Sequence, residues 1–216
     1  LRAVGDFSVF FAVESFMDEL SVAAARDPVD FRMQHLKGHT RRSDIVRETA
    51  RLAKWTPHVS GEKLNGHGRG VALAYHGSYI GVVADVEVDR KSGEVHVKKI
   101  YAAVDVGLVI NPDGLKNQIE GGIIQAASRS LKEQVMFDSN GITSLDWASY
   151  PILTFPEVPD VEVAIINRPD LPPAGAGELG SCPVAGAIAN AIYDAVGARV
   201  REIPFTSDRV KAATSK

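Results

Sequence analysis

Within Pro173–Pro183, three glycines, Gly175, Gly177 and Gly180, bracket a single acid, Glu178. Glycines at this density belong where a chain turns tightly or where backbone must approach another body closely. They present Glu178 on backbone and not within a packed neighbourhood. Beyond the loop, Ala185, Ile188, Ala189, Ile192 and Val196 recur at helical spacing; Ser181 stands where an N-cap belongs, Pro183 suits the first turn and Gly197 ends the pattern. The spacing therefore predicts an acid-bearing glycine loop that opens onto a helix N-terminus, whose bare amides form an electropositive socket beside the carboxylate. A solvated glutamate near the positive end of a helix is written in the same letters, so the pattern by itself leaves catalysis open.

The chain has 216 residues, 45% of them apolar, enough for one large domain or two lobes with a real core. A formal net charge of −3, with basic residues scattered, gives no electrostatic reason to expect nucleic acid or an anionic membrane as partner. One cysteine, Cys182, excludes an internal disulfide framework, a cysteine zinc site and an iron–sulfur cluster held by this chain alone. No apolar run reaches the 18 or so residues of a membrane span. The chain begins at Leu1 inside what reads as a motif, so a fragment or a processed subunit is expected and the compartment stays open.

Taken in order, a glycine-bearing turn at 2–11 feeds an amphipathic helix, Ala12 to Ala25, whose face of Val13, Phe16, Met17, Leu20 and Ala24 is expected to enter the core. Asp27-Pro28 opens a short second helix and Ser43 caps a third running to Trp55. His35 and His39, four apart with Gly38 between them and no accompanying acid, read as surface histidines rather than a metal pair. These elements make a helical head, 1–56. A Gly-, Pro-, His- and Asn-rich stretch, 57–69, reads as a linker.

Strands follow at 70–77, 81–89 and 94–106, the last two joined by a turn at Lys91-Ser92-Gly93. A helix is expected to open at the glycine pair Gly121–Gly122 and to run to about Met136. Asn140-Gly141 signals a hairpin, a proline-dense path leads through a strand at 161–166, and a polar tail, 206–216, is expected to fray. The fold class is α+β: a helical head, then β-hairpins packed with helices over 70–205.

Three segments together carry a family resemblance. Ala174-Gly-Ala-Gly-Glu-Leu-Gly180 with Ala187-Ile-Ala-Asn-Ala-Ile192 and Gly197-Ala-Arg-Val-Arg-Glu-Ile-Pro204, Arg2-Ala-Val-Gly5 with Phe11 to Leu20, and Asn111-Pro112 with Gln118-Ile-Glu-Gly-Gly-Ile-Ile-Gln125 resemble the C-terminal part of the molybdenum-cofactor-binding subunit of the xanthine oxidase family. The isoquinoline 1-oxidoreductase beta-subunit type and its aldehyde-oxidising relatives are the nearest in pattern. The resemblance implies a molybdenum–molybdopterin cofactor, with or without a cytosine dinucleotide, and [2Fe-2S] clusters on a small partner subunit. It implies Glu178 as general base toward the oxygen nucleophile, with water as oxygen source. It places Arg2, Gln118, Gly121, Gly122 and Gly177 against the cofactor, the metal being held by the pterin and by no residue here. Ala126 departs from the pattern, where a glycine is common.

Cys182 remains a rival as ligand or nucleophile, since a helix N-terminus favours thiolate. A non-catalytic docking lobe and a metal-free enzyme pairing Glu178 with a histidine remain the alternatives from other classes.

Overall fold

The computed structural model describes residues 2–214. Its centre is a four-stranded sheet in the order β1-β2-β3-β6, built from β1 (His67–Tyr75), β2 (Tyr79–Val88), β3 (Val95–Asp105) and β6 (Asp160–Ile165). The first three strands form an antiparallel meander, and β6 adds parallel to β3. A parallel neighbour requires a crossover. It is supplied by α4 (Pro112–Leu131) and a small hairpin, β4 (Phe137–Asp138) with β5 (Gly141–Ile142), which turns at the Asn140-Gly141 signal.

Alternation along the strands separates two cores. Ala72, Ile80, Val82, Ala84, Ile100 and Ala102 face α4 and α5 (Val184–Val196), whereas Val71, Val83 and Tyr101 face Val29 of α2 (Pro28–His35) and Val46 of α3 (Thr40–Leu52). Each fully buried branched side chain contributes about 1.5–3 kcal/mol, which explains why β2 reads as a nearly continuous apolar run.

The contact of β1 with α5 is backbone on backbone. A Cβ at Gly70 would lie 2.2 Å from Ala187 O and 2.3 Å from Ala191 N, and one at Gly68 would lie 2.0 Å from Ala191 O. No side-chain rotation relieves such a clash. Gly70→Ala is expected to lower stability by about 1–3 kcal/mol, the usual cost of overpacking, read as a fall in the urea midpoint; an unchanged midpoint contradicts the packing described.

Helix α1 (Asp6–Ala23) reverses the orientation expected from its pattern. Its buried residues are Phe10, Glu14, Ser15, Asp18 and Ser21, while Val9, Val13, Phe16 (58% exposed) and Leu20 point outward. The buried polar face is tolerated because each charge has a partner. Glu14 meets Arg32 at 3.0 Å, Asp18 meets Arg199 at 2.6 Å and accepts from Ser60, and Asn190 of α5 donates to Glu14 O and Val71 O. Burial pushes the Glu14 carboxyl up, against the pull of Arg32.

Four further elements differ from the sequence expectation. Helix α4 does not open at Gly121–Gly122 but at Pro112, where Asn111 accepts from Gly114 N at 2.9 Å, and it ends at Leu131, short of Met136. An Asn cap followed by proline at N1 is a stronger start signal than a glycine pair. Helix α3 starts at Thr40, and Ser43, inside it, donates to Leu36 O in place of capping. The segment after α3 is pinned to the core: Trp55 Nε1 and His58 N both donate to Asp27 Oδ2, and Gly61 N donates to Asp194. The polar tail forms α6 (Ser207–Thr214), held by the buried Val210.

Candidate functional site

Four backbone features converge at one end of the sheet: the segment leading into α1, the β1–β2 turn at 76–78, the middle of α4, and the glycine loop before α5. The loop is fixed along its length. Ala174 N donates to Val106 O, Ser78 Oγ donates to Gly175 O at 2.7 Å, and Gly107, with φ +74°, passes so close that a Cβ would lie 2.2 Å from Pro172 O.

At the tip, Gly177 O accepts from Arg2 Nε at 2.6 Å and from Gln118 Nε2 at 2.8 Å. Arg2 also donates to Gln118 O and to Gln125 Oε1. Glu178 follows, half-buried, its Oε1 accepting from Ala3 N at 2.9 Å. The structure thus brings Arg2, Gln118, Gly177 and Glu178 together, with Ala3 buried at φ +61° between them. A non-glycine residue held in that region carries strain, and such positions cluster where a precise backbone path is needed.

The glycine pair of α4 divides its work. Gly122 packs against the loop: a Cβ there would meet Gly180 at 3.3 Å, and one at Gly180 would lie 2.7 Å from Ile119 O. Gly121 faces open space, as do Gly175 and Gly177. Ser181 does not cap α5. It lies in a 3₁₀ turn, Leu179–Ser181, and donates to Gly122 O at 3.0 Å. That turn buries the start of α5, so the amide socket expected beside Glu178 is closed by residues 179–184. Polar donors at the site come from Arg2 and Gln118 instead.

The donor set tells what can bind here. Among the described residues no group of three or more His, Cys, Asp and Glu side chains could hold a metal ion. What the site offers is a guanidinium, two carboxamides and glycine backbone with open space where a Cβ would stand. Such a cradle suits a polar organic group that brings its own metal, and the residues fit a pterin in that sense.

Comparison with known proteins bears on the same point. The family model for a molybdopterin cofactor-binding domain matches residues 10–159, more than half of the chain. One of the subunits of nicotinate dehydrogenase from Pseudomonas putida is 44% identical over 99% of this chain and 19% of its own length. The chain belongs to the molybdopterin cofactor-binding domain family. Within it, the relatives lie among the molybdenum-binding subunits of the xanthine oxidase family. The beta subunit of isoquinoline 1-oxidoreductase from Brevundimonas diminuta is 34% identical over 95% of this chain and 26% of its own length. The crystal structure of quinoline 2-oxidoreductase from Pseudomonas putida 86 superposes with a TM-score of 0.60 at 28% identity, covering 64% of this chain and 19% of that one. The chain therefore spans about a fifth to a quarter of the length of these curated relatives. The matched range of the family model includes Gln118, Gly121 and Gly122 of the molybdopterin cofactor-binding domain but neither Arg2 nor Glu178.

A basic group and a sulfur underlie this cofactor-binding domain's site. Arg129 of α4 donates to Arg2 O at 2.8 Å and lies over the Phe7 ring at 4.3 Å, while its Nε and Nη2 are buried without partners; burial pulls its pKa down. Cys182 is buried, and burial, with Asp6 and Glu178 adding to it, pushes the thiol up to about 12. A thiol held protonated by burial is a poor nucleophile, which argues against that half of the rival role considered from its sequence position. His35 and His39 lie at the α2–α3 junction, away from the site.

Sequence reasoning assigns no role to His76, Asp6, Arg129 or Gln125, all of which the fold brings to this site. His76 and Asp6 meet only through the β1–β2 turn, 70 positions apart, and no spacing rule reaches that far.

Proposed function

We propose that this chain is the C-terminal part of the molybdenum-binding subunit of a hydroxylase that oxidises an N-heteroaromatic or aldehyde substrate, with Glu178 as general base. The observation that carries the reading is the Gly177 carbonyl: by accepting from Arg2 and from Gln118 it stands Glu178 beside both. The substrate classes follow the names of the relatives, which include nicotinate, isoquinoline and quinoline enzymes and an aldehyde oxidoreductase of Desulfovibrio gigas.

The molybdenum–pterin group, when bound, supplies two-electron redox chemistry, with water as the source of the inserted oxygen. This chain's residues bind, orient and move a proton. Glu178 takes the proton at Oε2, the oxygen left when Oε1 accepts the Ala3 amide. A positioned base of this kind needs reach first and a matched pKa second. Arg2, Gln118, Gly121 and Gly177 form the edge that receives the pterin, with or without its cytosine dinucleotide, and Gly122 acts from behind by seating the 179–181 turn on α4. The [2Fe-2S] clusters that would accept the electrons would be held by a partner subunit, since the one cysteine of this chain cannot ligate them. The outward stripe of Val9, Val13, Phe16 and Leu20 supports a cover supplied by the remainder of the subunit.

In the assembled enzyme, Arg2→Ala and Gln118→Ala are each expected to weaken cofactor retention about tenfold, the loss of one charge-assisted or well-placed hydrogen bond. Molybdenum and pterin content after gel filtration reads this directly. Full occupancy in both variants would remove the cradle from the proposal.

A further inference from the structure

The β1–β2 turn carries an imidazole that the reading above does not use. His76 points its Nδ1 at Asp6 Oδ2, 2.5 Å away, and its Nε2 at Glu178 Oε2, 3.9 Å away. Asp6 opens α1 and His76 follows the last residue of β1, so two separately anchored elements fix the pair. The carboxylate on Nδ1 makes that nitrogen the proton donor. In the neutral ring Nε2 is then a bare lone pair, and it faces the oxygen of Glu178 that Ala3 does not occupy.

An acid, an imidazole and a base in series are the arrangement of a nucleophile's or base's support, in which the third group orients the second. The order here is Asp6, His76, Glu178. His76 is 56% exposed, so its far side reaches water. The remaining gap to Glu178 is just beyond a hydrogen bond, and one bridging water or a small rotation of the half-exposed carboxylate spans it.

We propose that His76, oriented by Asp6, is a positioning and relay residue that carries the proton from Glu178 to solvent between turnovers. The inference rests on the reading of Glu178 as base. In the step, the O–H bond of the protonated Glu178 breaks and an N–H bond forms at Nε2 of the neutral ring. The imidazolium then passes a proton to water or buffer. No electrons move, and Asp6 stays a carboxylate. The charged groups around the pair are Asp6 on α1, Glu178 in the glycine loop, Arg2 ahead of α1 and Arg129 on α4, with the protonated Cys182 thiol beneath.

The test uses the assembled enzyme and two readouts. Carbethoxylation by diethyl pyrocarbonate, followed at the His76 peptide by mass spectrometry at one fixed pH, reports the free Nε2 of this imidazole without turnover. The rate of that reaction is expected to fall several-fold in Asp6→Asn, because the carboxylate that takes the Nδ1 proton and leaves Nε2 as the free lone pair is gone. Separately, His76→Gln is expected to lower kcat about tenfold or more with KM unchanged, molybdenum content intact, and the loss restored by added imidazole. An inactive Glu178→Gln together with a His76 reaction rate unchanged in Asp6→Asn overturns the relay alone. A fully active Glu178→Gln overturns the base reading and the relay with it. A His76→Gln enzyme with wild-type kcat at every pH overturns the relay whatever the reaction rates do.

Discussion

Glu178→Gln in the assembled enzyme is expected to cut kcat by about 10²–10⁴-fold, the range that a positioned general base contributes. Molybdenum and pterin content should stay at the wild-type level. The substitution is close to isosteric, and a glutamine Oε1 can still accept the Ala3 amide that holds the native side chain at 2.9 Å. It removes the ability to take a proton and little else. The backbone on either side is independently held: Gly177 O accepts from Arg2 and Gln118, and Glu178 O accepts from Ser181 N at 2.9 Å. For the same reason Glu178→Asp should not recover activity, because the fixed backbone cannot advance to make up the missing methylene. Unchanged turnover with full cofactor in Glu178→Gln would turn the chain into a docking lobe. Activity persisting in an enzyme without molybdenum would support a metal-free mechanism instead.

The parts of this molecule written locally in the sequence were legible. The β1–β2–β3 meander followed from alternating branched residues, and the turn at Gly93, φ +76°, from its glycine. Asp27-Pro28 opened α2 as its letters predict, with Asp27 accepting from Val29 N and Asp30 N. Gly197 closed α5 in the left-handed region. What failed was long-range. The apolar stripe of α1 was assigned to the core by the ordinary rule that apolar faces go inward, and the rule was overridden by partners far along the chain. Arg199 and Asn190 take up the polar face of a helix that ends at Ala23. Ser181 has the letters of a cap, but its hydroxyl is drawn to Gly122 O, 59 positions away, because neither Gly122 nor Gly180 has a Cβ to keep the turn off α4. The candidate site divides in the same way. Its individual residues came from motifs, whereas the way they touch, through one carbonyl at Gly177, is a property of the tertiary fold alone.

The same distinction explains the residue expected to cost most in stability. Asp105 ends β3 inside the motif that leads to Asn111-Pro112, and its letter gave no hint of its load. Its side chain is 0% exposed and accepts from Arg41 at 2.6 and 3.0 Å, from Arg168 at 2.6 Å and from Gly107 N at 3.0 Å. Arg168 reaches on to Asp44 at 2.6 Å, so one carboxylate ties α3, the end of β3 and the segment after β6. Removing it leaves two guanidiniums facing each other and an amide without an acceptor. Asp105→Ala is expected to cost about 3–5 kcal/mol, as breaking one side of a buried ion pair does, and Asp105→Asn not much less. Against a total stability of about 5–15 kcal/mol that loss is severe, and it should lower the urea midpoint sharply.

The pH dependence supplies a second signature. Burial alone would raise the pKa of Asp105, but the hydrogen bonds from Arg41, Arg168 and Gly107 outweigh it and hold the carboxyl below its ordinary value. A folded-state pKa below the unfolded one means that the contribution is fully present above about pH 4 and is lost as pH falls through the unfolded value toward the folded one. The wild-type urea midpoint should therefore fall, as pH drops below about 4, more steeply than that of Asp105→Asn, which has no proton to bind there. Parallel curves for the two proteins over that interval would show that the carboxylate is not the group under load, and the three elements would have to be joined by something other than this ion pair.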